Sequence, residues 1–159
     1  MICHRHPLLA VATILCLSYM GASAGMAETV RVASISFKPV KFGLSENTDK
    51  LEKWFRKAAD GGAQIAVAPE GILEGYVVNQ IIAGEASAQR MRDVALTIDS
   101  PTIKRFQDLA SELNICLVFG FAERIGVDVF NCALFIDDMG RICGKYHKMQ
   151  LAEGYHDSW

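Results

Sequence analysis

The sequence has no excess of positive charge: 16 Lys and Arg stand against 18 Asp and Glu, a formal net charge of −2. The basic footprint expected of a nucleic-acid binder is therefore missing. There is no C-x-x-C pair, which removes zinc knuckles and thioredoxin-like redox sites. Neither G-x-G-x-x-G nor G-x-x-x-x-G-K-[ST] occurs, so dinucleotide and P-loop binding lack support and no cofactor is expected. Nothing repeats at a fixed period, and no Pro- or Ser-rich linker divides the chain. With 51% hydrophobic and 21% charged residues over 159 positions, disorder is excluded and one domain with a real core is expected.

A long apolar run is also missing. The longest, Leu8 to Met20, has about 13 residues against the ~20 of a spanning helix. Arg5 precedes it, and small residues follow it from Gly21 to Ala27, with Ala22-Ser23-Ala24 and Gly25-Met26-Ala27 as candidate cleavage sites. That order is the order of a secretory signal peptide. Residues 1–27 are thus read as a leader and 28–159 as the mature domain, soluble, secreted or periplasmic, and free of the membrane. Loss of the leader removes Arg5 alone among charged residues, leaving 15 basic against 18 acidic, a net of −3. Of the 5 cysteines, Cys116, Cys132 and Cys143 remain, an odd number that cannot be fully paired. They are expected to be small buried apolar residues on strands.

Hydrophobic periodicity gives the elements. Val30 to Phe37 reads as a strand. Leu51, Trp54, Phe55, Ala58 and Ala59 form one face of a helix capped by Ser45 or Asn47 and ended by Gly61-Gly62. Gln64 to Ala68 is apolar on both faces, as in a strand buried between layers. A loop over 71–84 leads to a helix over 85–96. Ser100-Pro101 opens another helix, with an apolar face of Ile103, Phe106, Leu109, Ala110 and Leu113, ending at Asn114. Ile115 to Glu123 and Val129 to Ile136 are strands, and a hairpin turn at Asp137 to Gly140 leads into a last strand, Arg141 to His147. The order β-α-β-α-α-β-β-β predicts an α/β layered fold with helices on a mixed sheet.

Two strand ends carry the candidate chemistry. Glu70 closes Gln64-Ile65-Ala66-Val67-Ala68-Pro69-Glu70 and is followed by Gly71-Ile72-Leu73-Glu74-Gly75-Tyr76. After so apolar a strand its carboxylate is expected at the sheet edge, partly desolvated and with a raised pKa. The plainer alternative is a surface carboxylate that begins an acidic loop with Glu74. Lys148 lies in Gly144-Lys145-Tyr146-His147-Lys148-Met149-Gln150-Leu151; a lone lysine is ordinarily solvated. His147, His156 and Asp157 match no standard zinc spacing, so no metal is expected.

Taken together with Asn131-Cys132-Ala133 and the turn Asp138-Met139-Gly140, these segments resemble the nitrilase superfamily of carbon–nitrogen hydrolases. The usual family version has Arg in place of His147 and His in place of Gln150, departures that bear on substrate detail. Lys145 falls three residues early against the pattern. The resemblance, from Val30 to Trp159, implies the amino-terminal half of an α-β-β-α sandwich. It implies a Cys–Glu–Lys site with Glu70 as base, Lys148 stabilising the oxyanion, and Glu153 as a second glutamate that positions substrate and lysine.

The family cysteine, expected in a Gly-x-x-Ile-Cys-Tyr-Asp-like segment on the next strand, is not among the 159 residues. Asn114-Ile115-Cys116-Leu117 resembles that segment superficially, but Cys116 precedes Lys148 and lacks the following acid; Cys143 is mid-strand. The expectation is therefore an incomplete amidase-type hydrolase of a small non-peptide amide, carbamoyl amine or nitrile, inactive as it stands and homo-oligomeric when complete. Two other classes stay open. One is a non-catalytic half-domain serving binding or assembly. The other is an unrelated secreted α/β binding module, which predicts Glu70 and Lys148 far apart.

Overall fold

The computed structural model describes residues 29–150; the proposed leader and Glu153 lie outside the described residues. The chain runs β1 (Val32–Ser34), α1 (Leu44–Asp60), β2 (Ile65–Val67), α2 (Val78–Ile82), α3 (Ala88–Val94), α4 (Pro101–Leu113), β3 (Cys116–Ile125), β4 (Asp128–Ile136) and β5 (Ile142–His147). The strands form one mixed sheet in the order β1-β2-β3-β4-β5. β1, β2 and β3 are parallel neighbours, with helices in the crossovers, and β3, β4 and β5 form an antiparallel meander. The α/β class stands as expected. The second sheet of the sandwich is not among the described residues.

Strand alternation sorts the faces. Leu117, Phe119 and Phe121 of β3, with Cys132, Leu134 and Ile136 of β4, pack against Leu51 and Phe55 of α1 and Ile103, Phe106 and Leu109 of α4. Phe106 lies 4.8 Å from Phe119, and Phe55 meets Phe106 edge-on at 5.8 Å, each ring contributing about 1.5–3 kcal/mol of burial. On the opposite face, Ala122 and Val129 pack with Val77, Met91 and Ala95 in a smaller cluster beneath α2 and α3.

Four local expectations are corrected. The first helix begins at Leu44, with Gly43 at its cap position and no side-chain cap. Asn47 instead lies fully buried inside it, because its amide offers a donor and an acceptor at once. It accepts from Val40 N and donates to the carbonyls of Val40 and Leu73. Trp54, expected on the apolar face, keeps 37% of its surface exposed, beneath the Lys57 ammonium. The 71–84 loop contains α2, a five-residue helix whose β-branched, uncapped sequence carries no strong helix signal. The first strand shrinks to three residues, those that find partners on β2.

Candidate active site

β2 delivers Glu70. Beyond Val67 the chain keeps to β3: Ala68 N donates to Val118 O, Gly120 N to Pro69 O, and Ile72 N to Gly120 O. Gly120 makes this path available, since a Cβ there would stand 2.6 Å from Glu70 Cα and 2.7 Å from Gly71 N. The chain then turns tightly at Gly71, whose carbonyl accepts from Gly75 N and Tyr76 N. The Lys41 ammonium clamps the turn from below, donating to the carbonyls of Gly75 and Tyr76 at 2.8 and 2.7 Å.

β5 delivers Lys148. Its backbone N–H donates to Asn131 O at 2.9 Å, and its ammonium reaches Glu70 Oε1 at 3.0 Å and Oε2 at 3.4 Å. Asn131, on β4, joins both sides: its carbonyl holds the Lys148 backbone while its side-chain amide donates to Glu70 Oε1. Two residues 78 apart in sequence thus meet on the sheet face opposite α1 and α4. The unrelated-module alternative, which needed them apart, fails here. An open groove lined by Gly120, Ala133, Tyr146 and Gln150 lies over the pair.

The desolvated carboxylate is Glu74, not Glu70. Glu70 keeps more than a third of its side chain exposed, because it stands on the open face of the sheet. Glu74, the supposed surface acid, is buried beneath the turn and accepts from Ala122 N at 3.0 Å. Burial, with the Glu70 charge nearby, pushes its pKa up to about 7 against the pull of backbone hydrogen bonds and Lys41. No periodicity marked this, since the turn residues follow no helical or strand repeat.

A second buried carboxylate, Glu123, lies on the core face of the sheet. Lys145 Nζ donates to its Oε1 at 2.6 Å, and His147 Nε2 lies 2.5 Å from Oε2 while stacking on Phe130. Burial acts to raise the Glu123 pKa, but hydrogen bonds from His147 and Lys145 outweigh it and hold the group lower. Lys145, the competing lysine, is therefore committed to a structural pair. Glu123, Cys132 and His147 bring three ligand-type atoms within 4.8 Å of one another. They do not fit a cation, because the Lys145 ammonium already occupies the carboxylate.

The three cysteines among the described residues fall short of a nucleophile. Burial, followed by the Glu123 charge, pushes the Cys132 thiol up to about 12, on the face away from Lys148. Cys116 pairs with Ile65 at the other end of β2, and the exposed Cys143, contrary to the expectation of burial, contacts Asp137 at the hairpin turn. His156 and Asp157, like Glu153, lie outside the described residues.

A mixed α/β sheet that presents a carboxylate and an ammonium from the ends of two strands has the architecture of a nitrilase-like α/β domain. The chain belongs to the carbon–nitrogen hydrolase family, whose model matches residues 31–158. It is 32% identical over 128 residues to an aliphatic nitrilase of Rhodococcus rhodochrous, covering 77% of this chain and 35% of that protein. An arylacetonitrilase of Trametes versicolor is 29% identical over 134 residues, covering 78% of this chain and 42% of that protein. The solved structure of an amidase from Nesterenkonia sp. shares the fold, with a TM-score of 0.63 at 24% identity over 81% of this chain and 46% of that one. The chain spans well under half the length of these curated relatives.

Proposed function

We propose that this chain carries the base and the oxyanion-stabilising cation of a carbon–nitrogen hydrolase acting on a small amide, carbamoyl amine or nitrile. The observation that supports it most is the Glu70–Lys148 contact at 3.0 Å, tied on both sides by Asn131 and open to a groove. The nucleophile in this reading is a cysteine other than Cys116, Cys132 and Cys143. Glu70 removes its thiol proton, the thiolate bonds to the substrate carbon, and the negative charge formed on the substrate oxygen or nitrogen is met by Lys148. With an amide, the C–N bond breaks as the nitrogen takes up the proton, leaving a thioester. Water then adds with Glu70 as base, and the acid and free thiol are released. Glu153 stands beside Lys148 in sequence and positions the substrate in this reading. The leader-like residues 1–27 support a site of action outside the cytoplasm.

The test is hydrolysis by the full-length gene product across amide, carbamoyl and nitrile substrates. E70Q and K148M are expected to lower kcat/KM by about 10²–10⁴-fold, the usual worth of a positioned base or charge. K145M is expected to lower the melting temperature while retaining turnover. A full-length protein with its cysteine that hydrolyses none of the three classes overturns the reading.

A further inference from the structure

Lys148 stands at the weak end of the sheet. Among the described residues β5 is an edge strand, hydrogen-bonded to β4 alone. Its ladder ends at the bond from Lys148 N to Asn131 O, and Met149, the next residue, is 84% exposed. The end of an edge strand frays unless something besides the ladder ties it down. Here the tie lies on the other face of the sheet. Side chains alternate across a strand, so Lys145 and His147 point to the core face while Lys148 points to the groove. Both core-face residues meet one carboxylate, Glu123 of β3, which is almost wholly buried and reaches across β4 to them. The His147 ring is fixed a second time, lying flat on Phe130 with 4.6 Å between ring centroids.

We propose that Glu123 is a positioning residue for Lys148: by fixing His147, one peptide bond away, it sets where the Lys148 ammonium stands relative to Glu70. The proposal deepens the hydrolase reading above and rests on it for its kinetic consequence. The two partners of Glu123 do different work. Lys145 supplies the charge that lets a carboxylate remain buried. It is separated from Lys148 by Tyr146 and His147, a length of chain that can adjust to its loss. His147 adjoins Lys148, and its ring is held at two points, the Glu123 oxygen and the Phe130 face. A turn of the backbone at His147 would swing the Lys148 side chain and change its reach to Glu70, which stands at 3.0 Å. A cation that meets charge formed in the transition state acts through its placement, and a shift of about 1 Å costs on the order of 10²-fold in rate. A merely structural carboxylate predicts that losing either partner has the same effect. A positioning carboxylate predicts that only the loss at His147 reaches the chemistry.

The experiment measures kcat, KM and melting temperature of the full-length gene product, comparing the wild type with H147F, H147Q and K145M. H147F keeps a ring on Phe130 but removes the donor to Glu123, and H147Q restores a donor at similar reach. H147F is expected to lower kcat and kcat/KM together by about 10²-fold with KM little changed. H147Q is expected to recover most of that loss, and K145M to lose melting temperature but not kcat. H147N, whose amide stops short of Glu123, takes the place of H147F should that variant not fold. A second readout needs no turnover. The lysines are methylated with isotope-labelled formaldehyde, and the NMR signal of Lys148, assigned by its loss in K148R, is followed. H147F is expected to shift that signal, H147Q to return it and K145M to leave it in place. Equal kcat losses in H147F and K145M, or wild-type kcat in H147F, overturn the positioning role, while the hydrolase reading stands on the loss in E70Q. No hydrolysis of any substrate, with E70Q indistinguishable from wild type, overturns the hydrolase reading. The Lys148 signal then decides the positioning, and a signal unmoved in H147F overturns it.

Discussion

Glu70 and Glu74 are four residues apart and have opposite environments. Glu70 faces the groove with Lys148 and Asn131 on its oxygens, so its charge is met in the open. Glu74 is turned inward, where burial raises its pKa to about 7. A carboxyl whose folded pKa lies above its unfolded value of about 4.5 favours the folded state in its protonated form. Its stabilisation is complete below about pH 4.5 and is lost as pH rises through about 7, up to about 3 kcal/mol over that shift. Urea denaturation should therefore show wild-type stability falling between pH 5 and pH 8 relative to E74Q. Parallel pH–stability curves for the two proteins would contradict the burial of this carboxyl.

At the scale of elements, the site is built where four strands touch: the end of β2, the middles of β3 and β4, and the end of β5. The closest approach is at Gly120, whose missing side chain lets the Glu70 backbone lie against β3. Gly120→Ala would force that backbone away by several tenths of an ångström or more, since the obstructing atoms are main chain. The expected costs are about 1–3 kcal/mol of stability and, through misplacement of Glu70, on the order of 10²-fold in kcat. Thermal unfolding and steady-state kinetics on the same preparation separate the two; G120A at wild-type kcat would show that Glu70 is positioned otherwise. Asn47 acts similarly from the other side, tying α1 to the Val40 and Leu73 carbonyls and so to the turn that follows Glu70.

Over the described residues as a whole, packing is uneven. β3 is the central strand, hydrogen-bonded on both sides, with Leu117, Phe119 and Phe121 almost wholly buried. α2 is five residues long, has no side-chain cap, and roofs a small cleft beside Glu70. Hydrogen exchange should find the β3 amides opening only with global unfolding and those of α2 opening locally. Equal protection in the two would mean that the cleft is as rigid as the core.

The types of the long elements were legible in the sequence because they follow from local periodicity: α4 starts at its Ser100-Pro101 signal and ends on a left-handed Asn114, as read. The two strand ends that carry Glu70 and Lys148 were likewise legible, through their strand positions and the family-like residues around them. Tertiary structure alone decided which carboxylate is open and which is buried. Glu74 is hidden by Ala122, 48 residues away, Glu123 is satisfied from a strand 22 and 24 residues on, and Asn131 binds a glutamate 61 residues earlier. Desolvation and pairing depend on neighbours in space, and a local pattern of apolar and polar residues does not specify which distant strand will supply them.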